Sequence, residues 1–117
     1  MSLDIKRRYW SGAAALNNAT AVDLEIVNST ASTIYVTKIT LSIVTHAAKF
    51  VAIQDTNGTP KVIAKHTDAA AGAGVPSVVT WDFGDFGVPM TLGKNLQAVS
   101  EASGVVGYVY AQGYEIE

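Results

Sequence analysis

"STIYVTKITLSIVTH", residues 32–46, decides the fold class of this chain. β-Branched and aromatic residues fill most of its positions, and this composition predicts a long β-strand. With strict alternation, Tyr35, Ile39 and Leu41 share one face of the strand. Ile34 and Val36 then lie on the other face, which turns polar in its middle. A strand of this length is expected to bend or to contain a bulge.

Segments of the same kind recur along the rest of the chain, separated by glycine, proline and asparagine. They are "VDLEIVN" (22–28), "KFVAIQD" (49–55), "KVIAKH" (61–66), "SVVTWDF" (77–83), "LQAVSEA" (96–102) and "VVGYVYAQGYEI" (105–116). Asn57-Gly58 predicts a hairpin with a type I′ turn, because both residues tolerate positive φ. We predict an all-β, antiparallel, jelly-roll-like sandwich rather than an immunoglobulin-like one, because the chain has no Cys-Trp-Cys spacing.

The first twenty residues show neither clean alternation nor helical spacing. We therefore expect an extended N-terminal arm, residues 1–20, followed by a β-sandwich domain, residues 21–117. The arm contains a basic and aromatic cluster whose residue types suit docking on an acidic or strand-edge surface of a partner. The members of this cluster are Lys6, Arg7, Arg8, Tyr9 and Trp10. An ordinary solvated terminus is the other interpretation of the same residues.

The composition is apolar for a single small domain, with 49% hydrophobic and 15% charged residues. Either the core is unusually large or a partner covers part of the apolar surface. The net charge of −2 argues against a nucleic-acid partner, and no apolar run is long enough to form a transmembrane helix. Because the chain contains no cysteine, disulfides and thiolate chemistry are excluded.

A row of tyrosines closes the chain. Tyr108, Tyr110 and Tyr114 fall on one face of the last predicted strand. Such a row is suited either to the interface of an oligomer, where tyrosine is enriched, or to a sugar-binding platform, to which Trp81 could contribute. We favour burial in an oligomer interface because the chain as a whole is apolar.

"DFGDFG", residues 82–87, repeats a tripeptide that carries the magnesium-binding aspartate of protein kinases. The other parts of a kinase site are absent, so we interpret the repeat as a turn. Gly84 and Gly87 would supply positive φ, and Asp82 and Asp85 would accept hydrogen bonds from backbone amides. A calcium site that uses these two carboxylates, with Asp68 as a further ligand, is the alternative.

Enzymatic chemistry has weak support in the sequence. His46 and His66 are the only histidines, and a catalytic metal usually takes three protein ligands, so we expect no metal and no cofactor. A Ser-His-Asp triad can be assembled from distant residues, which one sequence does not exclude. The chain has no Gly-x-Ser-x-Gly elbow, and we expect no enzymatic activity.

"FGVPMTLGKNLQAVSEASGVVGYVYAQGYE", residues 86–115, resembles small all-β accessory proteins of tailed-phage virions. In this stretch a Pro-x-x-Leu-Gly-Lys-Asn-Leu step leads into a strand, a Ser-Gly turn and a last strand that ends in Gly-Tyr-Glu. The long strand and hairpin upstream are similar to the same group. The group includes capsid decoration proteins and modules of fibres and baseplates.

The resemblance implies a non-enzymatic structural protein that binds the outside of a phage capsid as a homotrimer and bridges subunits of the major capsid protein. Residues 2–16 occupy the place of the arm that reaches the shell in decoration proteins. The expected location is the capsid surface of the virion, and the host cytoplasm during assembly. A carbohydrate- or receptor-binding module of a fibre or baseplate is the alternative function.

Overall fold

The computed structural model describes residues 7–16, 20–70, 76–101 and 105–117, and every regular element in these ranges is a β-strand. The strands are β1 (Arg7–Ala15), β2 (Val22–Glu25), β3 (Thr33–Thr45), β4 (Phe50–Asp55), β5 (Val62–Thr67), β6 (Val78–Asp82), β7 (Val88–Pro89), β8 (Leu96–Ser100) and β9 (Val106–Ile116). None of the described residues forms a helix of the length and hydrophobicity needed to cross a membrane.

The strands form two antiparallel sheets packed as a sandwich. The first sheet has the order β1-β9-β3-β6, and the short strand β7 pairs with the N-terminal part of β3, at Tyr35 and Val36. The second sheet has the order β2-β8-β4-β5. One long hairpin folded at the β4–β5 turn accounts for four of these pairs, namely β1·β9, β2·β8, β3·β6 and β4·β5. Rolling that hairpin up adds the pairs β9·β3 and β8·β4, which is the strand order of a jelly roll. The predicted fold class is confirmed.

The hydrophobic core lies between the inner faces of the two sheets. Ile39, Leu41 and Val109 of the first sheet and Ile53 and Leu96 of the second are fully buried. Burial of each such side chain contributes roughly 1.5–3 kcal/mol to stability. Since the chain lacks disulfides, this core and the pairing of the strands hold the sandwich together.

A bulge in β3 decides which of its residues reach the core. The pairing of β3 with β9 shifts register between Val36 and Lys38, so Thr37 is an extra residue in the ladder. Val36, before the bulge, and Ile39, after it, are both fully buried. The predicted bulge is confirmed, and the prediction that Ile34 and Val36 face away from Ile39 is wrong, because the extra residue reverses the alternation.

The hairpin formed by β4 and β5 is also confirmed, but its turn is not of the predicted two-residue type. Residues 56–61 connect the strands, and Gly58 is not among the glycines with positive φ in the described residues. The carboxylate of Asp55 accepts hydrogen bonds from the amides of Asn57 at 3.1 Å and Lys61 at 3.0 Å. These two bonds hold a wider loop than an Asn-Gly turn would make.

The segment expected to be an extended N-terminal arm contributes a strand to the chain's own sheet. β1 pairs with β9 over all nine residues, from Arg7 opposite Ile116 to Ala15 opposite Tyr108. Gly12 permits a close approach to β2, since a Cβ built there would lie 1.8 Å from the carbonyl oxygen of Leu24. In this structure the sandwich therefore begins at Arg7 rather than at residue 21.

Candidate functional site

The outer face of the first sheet carries the residues that the sequence singled out. Side chains of β9 alternate, so Val109 and Ala111 enter the core whereas Tyr108 and Tyr110 face outward. The outward side chains lie in register with those of β3, where Tyr110 is opposite Thr40. The sheet thus presents one continuous surface from β1 to β6.

One half of this surface is apolar and is called the apolar patch below. Its members are Val44, Val78, Val106, Tyr108 and Tyr110, with exposed fractions of 65%, 59%, 49%, 47% and 49%. Pairing places Tyr108 of β9 and Val78 of β6 in one row, on either side of Ser42 of β3. A cluster of half-exposed apolar side chains on a sheet face is typical of a surface that contacts another molecule.

The other half of the surface ends in an open cleft of about 670 Å³, called the terminal cleft below. It lies where β1 begins, where β9 ends and where the turn after β6 folds back. Five polar and three aromatic residues contribute to its lining: Arg7, Ser11, Thr37, Asp85, Gln112, Tyr9, Trp10 and Tyr114. Cleft and patch occupy opposite ends of the same sheet face.

Several contacts hold Tyr114 in place in the terminal cleft. Its ring stacks on Tyr35 at 4.9 Å between centroids and meets Tyr9 edge-on at 6.3 Å. The guanidinium carbon of Arg7 lies 4.4 Å from the centre of the same ring. The phenol hydroxyl donates a hydrogen bond to the carbonyl of Phe86. These contacts leave Tyr114 3% exposed and fix its position.

The structure separates the predicted partner-binding residues into two sets. Arg7 and Tyr9 point outward, and Tyr9 is 75% exposed. Trp10 points inward and is 8% exposed, so it is not accessible to a partner while β1 stays in the sheet. Arg8 binds Glu115 at 2.8 Å, and Lys6 lies outside the described residues.

The tyrosine row is divided in a similar way. Tyr108 and Tyr110 are half exposed on the outer face, as either of their predicted roles requires, whereas Tyr114 is covered by its own chain. Trp81, considered for a sugar platform, packs against the core from β6. The described residues therefore do not form one continuous aromatic platform from these four side chains.

The Arg8–Glu115 pair is structural. Glu115 is 3% exposed, and its second oxygen accepts a hydrogen bond from the amide of Asn28 at 2.8 Å, which ties β9 to the segment after β2. Glu25 lies near this pair. Burial raises the pKa of Glu25, and the bond from Ile26 and the charge of Arg8 offset part of that effect.

The repeated Asp-Phe-Gly forms the predicted turn. Asp82 Oδ1 accepts a hydrogen bond from the amide of Gly84 at 2.9 Å, and Gly84 and Gly87 have φ of 80° and 71°. Asp85 has no such bond in the described part of the chain and lines the terminal cleft. Within the described ranges, no group of three His, Cys, Asp or Glu side chains is arranged to hold a metal ion.

A second polar cluster lies at the opposite end of the sandwich, where β3 and β5 end and β6 begins. His46 Nδ1 lies 3.0 Å and 3.1 Å from the two oxygens of Asp68, and His66 Nε2 lies 3.4 Å from one of them. His46 Nε2 is 3.3 Å from Ser77 Oγ. Sequence reasoning could not pair these residues, because 31 positions separate His46 from Ser77.

This cluster has the hydrogen-bond order of a Ser-His-Asp triad, but Ser77 is exposed and does not line the terminal cleft. Asp68 is buried and also accepts a bond from the amide of Ala47. Burial acts to raise the pKa of Asp68, but the bonds from His46, backbone amides and His66 outweigh it and hold the pKa below its ordinary value. The arrangement joins three chain segments and is best explained as a structural brace.

Asp55 is a second fully buried carboxylate with a bracing role. Besides the two loop amides, it accepts hydrogen bonds from the amide and hydroxyl of Thr91. Burial acts to raise the pKa of Asp55, but the hydrogen bonds from Thr91, Lys61 and Asn57 outweigh it and hold the pKa below its ordinary value. The β4–β5 loop is thereby fixed to the connection between β7 and β8.

Comparison with protein families and with curated proteins finds no match for this chain.

Proposed function

We propose that the protein is a structural component of a virion, which associates through the apolar patch into a homotrimer and stabilises a phage capsid from outside by bridging its subunits. The apolar patch is the observation that supports association into a trimer. Five half-exposed apolar side chains on one sheet face favour contact with further protein.

The capsid as partner is supported by the resemblance of residues 86–115 to accessory proteins of tailed-phage virions. The jelly roll is common in viral capsid domains, although a fold alone does not determine a function. Bridging would act by adding contact area between subunits that internal pressure separates. Nothing in this role requires a cofactor or a catalytic site.

Docking of the N-terminal residues on the shell remains part of the proposal for Arg7 and Tyr9, whose side chains are accessible. Docking in which β1 leaves its own sheet to join a partner's sheet would break its pairing with β9. It would also expose Trp10, which the core now covers. We therefore assign trimer formation to the apolar patch, and we assign no anchoring role to Trp10.

The association is tested by light scattering after size exclusion. The wild-type chain is expected at three times 12.3 kDa, and Val78→Asp is expected to reduce the mass towards the monomer because a charge enters the patch. Val62→Asp is the matched control, since Val62 is a 48% exposed valine on the outer strand of the second sheet. A wild-type monomer at every concentration, or equal effects of the two variants, would contradict the assignment.

The virion location needs a separate experiment. Particles are collected by sedimentation from the culture that produces the protein and are probed for this chain. Its presence in the particle fraction, and weaker retention of Val78→Asp than of Val62→Asp, are the expected results. A chain that stays in the supernatant while the particles remain intact would refute the capsid role.

A further inference from the structure

The terminal cleft contains two charged groups that form no ion pair with the side chains the structure describes. Arg7 rests on the ring of Tyr114, and neither Arg7 nor Asp85 takes part in an ion pair within the described residues. The side chain of Gln112 also faces this cleft. A guanidinium, a carboxylate and an amide thus line one concave surface, beside the exposed ring of Tyr9.

This combination fits the chemistry of a sugar. Each sugar hydroxyl both donates and accepts a hydrogen bond, so it can bond a carboxylate and a guanidinium at once. The C–H face of a pyranose ring is apolar and packs on an aromatic side chain such as Tyr9, whose ring is large and rigid. Among the described lining residues, one positive and one negative group balance each other, which favours a neutral ligand.

The cleft is largely preformed. Tyr114 is fixed by the stack on Tyr35 and by the bond to Phe86, so binding orders few groups and loses little entropy. Asp85 follows Gly84 in a turn that the Asp82 bond and the Gly87–Gly84 amide-to-carbonyl bond of 3.2 Å hold closed. The volume of about 670 Å³ lies within the range of small-molecule sites.

We propose that the terminal cleft binds a neutral oligosaccharide, with Tyr9 packing on one sugar ring and with Asp85, Arg7 and Gln112 bonding its hydroxyl groups. This assignment is independent of the trimer, because the cleft and the apolar patch occupy different halves of the sheet face. It uses Arg7 and Tyr9 for the sugar, so in this assignment these two residues do not dock on the capsid shell. A module with both surfaces would hold its assembly at one end and contact a glycan-covered surface at the other.

A glycan array probed with the labelled full-length chain identifies the ligand, and the best free glycan is then titrated by heteronuclear NMR. The expected result is a set of neutral glycans above background, with shifted amide signals at Tyr9, Asp85 and Gln112. Asp85→Asn should weaken binding by about tenfold, because a neutral amide oxygen replaces the charged acceptor. Asp23→Asn, at an exposed acid on the second sheet, should leave the affinity unchanged.

Tyr9→Ala and Tyr110→Ala locate the sugar on the sheet face. Loss of binding with Tyr9→Ala alone supports the terminal cleft, whereas loss with Tyr110→Ala alone would place the sugar on the tyrosine row and overturn the proposal. An array without signals above background overturns it as well. If no glycan binds but Tyr9→Ala and Asp85→Asn release the chain from particles, the cleft is a protein-docking site and the saccharide assignment is wrong.

Discussion

Replacing Trp10 with alanine tests whether β1 belongs to the sandwich or is a free arm. The indole is 8% exposed and packs in the core between the sheets. Truncation of a buried tryptophan lowers the free energy of unfolding by about 3–5 kcal/mol. The indole N–H has no hydrogen-bond partner among the described residues, so its removal relieves part of a desolvation cost of about 1–3 kcal/mol. We therefore expect a net loss of about 2–4 kcal/mol.

Urea unfolding followed by far-ultraviolet circular dichroism measures this loss. Tyr9→Ala is the matched control, because Tyr9 is the adjacent residue of the same strand, has its side chain on the opposite face and is 75% exposed. Its expected loss is below about 1 kcal/mol. If the two variants differ by less than about 0.5 kcal/mol, Trp10 is not part of the core, and the N-terminal segment is an arm that leaves the sandwich complete without it.

Two further predictions concern backbone packing and acid stability. Gly12→Ala should lower the melting temperature, because the added Cβ would lie 1.8 Å from the carbonyl oxygen of Leu24. Gly58→Ala is the control and should change the melting temperature little, since a Cβ there meets nothing within 4 Å. Equal melting temperatures of the two variants would contradict the close approach of β1 and β2. The folded-state pKa of Asp55 lies below its ordinary value of 3.8, so this carboxylate contributes stability that is present above pH 3.8 and is lost as the pH falls through the folded pKa. Unfolding free energies measured from neutral pH down through this window should therefore fall more steeply for the wild type than for Asp55→Asn, and parallel curves would show that Asp55 is not the acid-sensitive group.

The sequence predicts the strands well because their signals are local. Six of the seven quoted β-rich segments contain a whole strand, and β5 extends one residue beyond its segment, to Thr67. The long segment at residues 32–46 contains β3. The order of the strands is not a local property, since β1 pairs with β9 at the opposite end of the chain. The position of the bulge is also set by pairing, and it decides that Val36 and Ile39 enter the same core. One sequence contains the propensity for a bulge but not its place.

In the N-terminal cluster, the spacing of the residues predicts a strand, whereas their composition predicts a docking arm. Arg7 and Tyr9 alternate with Arg8 and Trp10, and this period of two is the pattern of a strand with one buried face. Charge and aromatic content suggested a docking arm for all of them together. In the structure the alternation separates accessible residues from buried ones, so the spacing predicts which side chains a partner can reach and the composition does not.

The two aspartates of the repeated Asp-Phe-Gly have different roles, one in the turn and one in the terminal cleft. Asp82 uses its carboxylate on the amide of Gly84 and thereby closes the turn. Asp85 comes after the residue of positive φ, lies in the wall of the terminal cleft and makes no comparable bond among the described residues. Asp82→Asn should therefore act on folding and Asp85→Asn on binding. The sequence treats the two positions as equivalent, and the partners of the two glycine amides make them different. The amide of Gly84 donates to Asp82, whereas the amide of Gly87 donates to the carbonyl of Gly84 at 3.2 Å and not to Asp85.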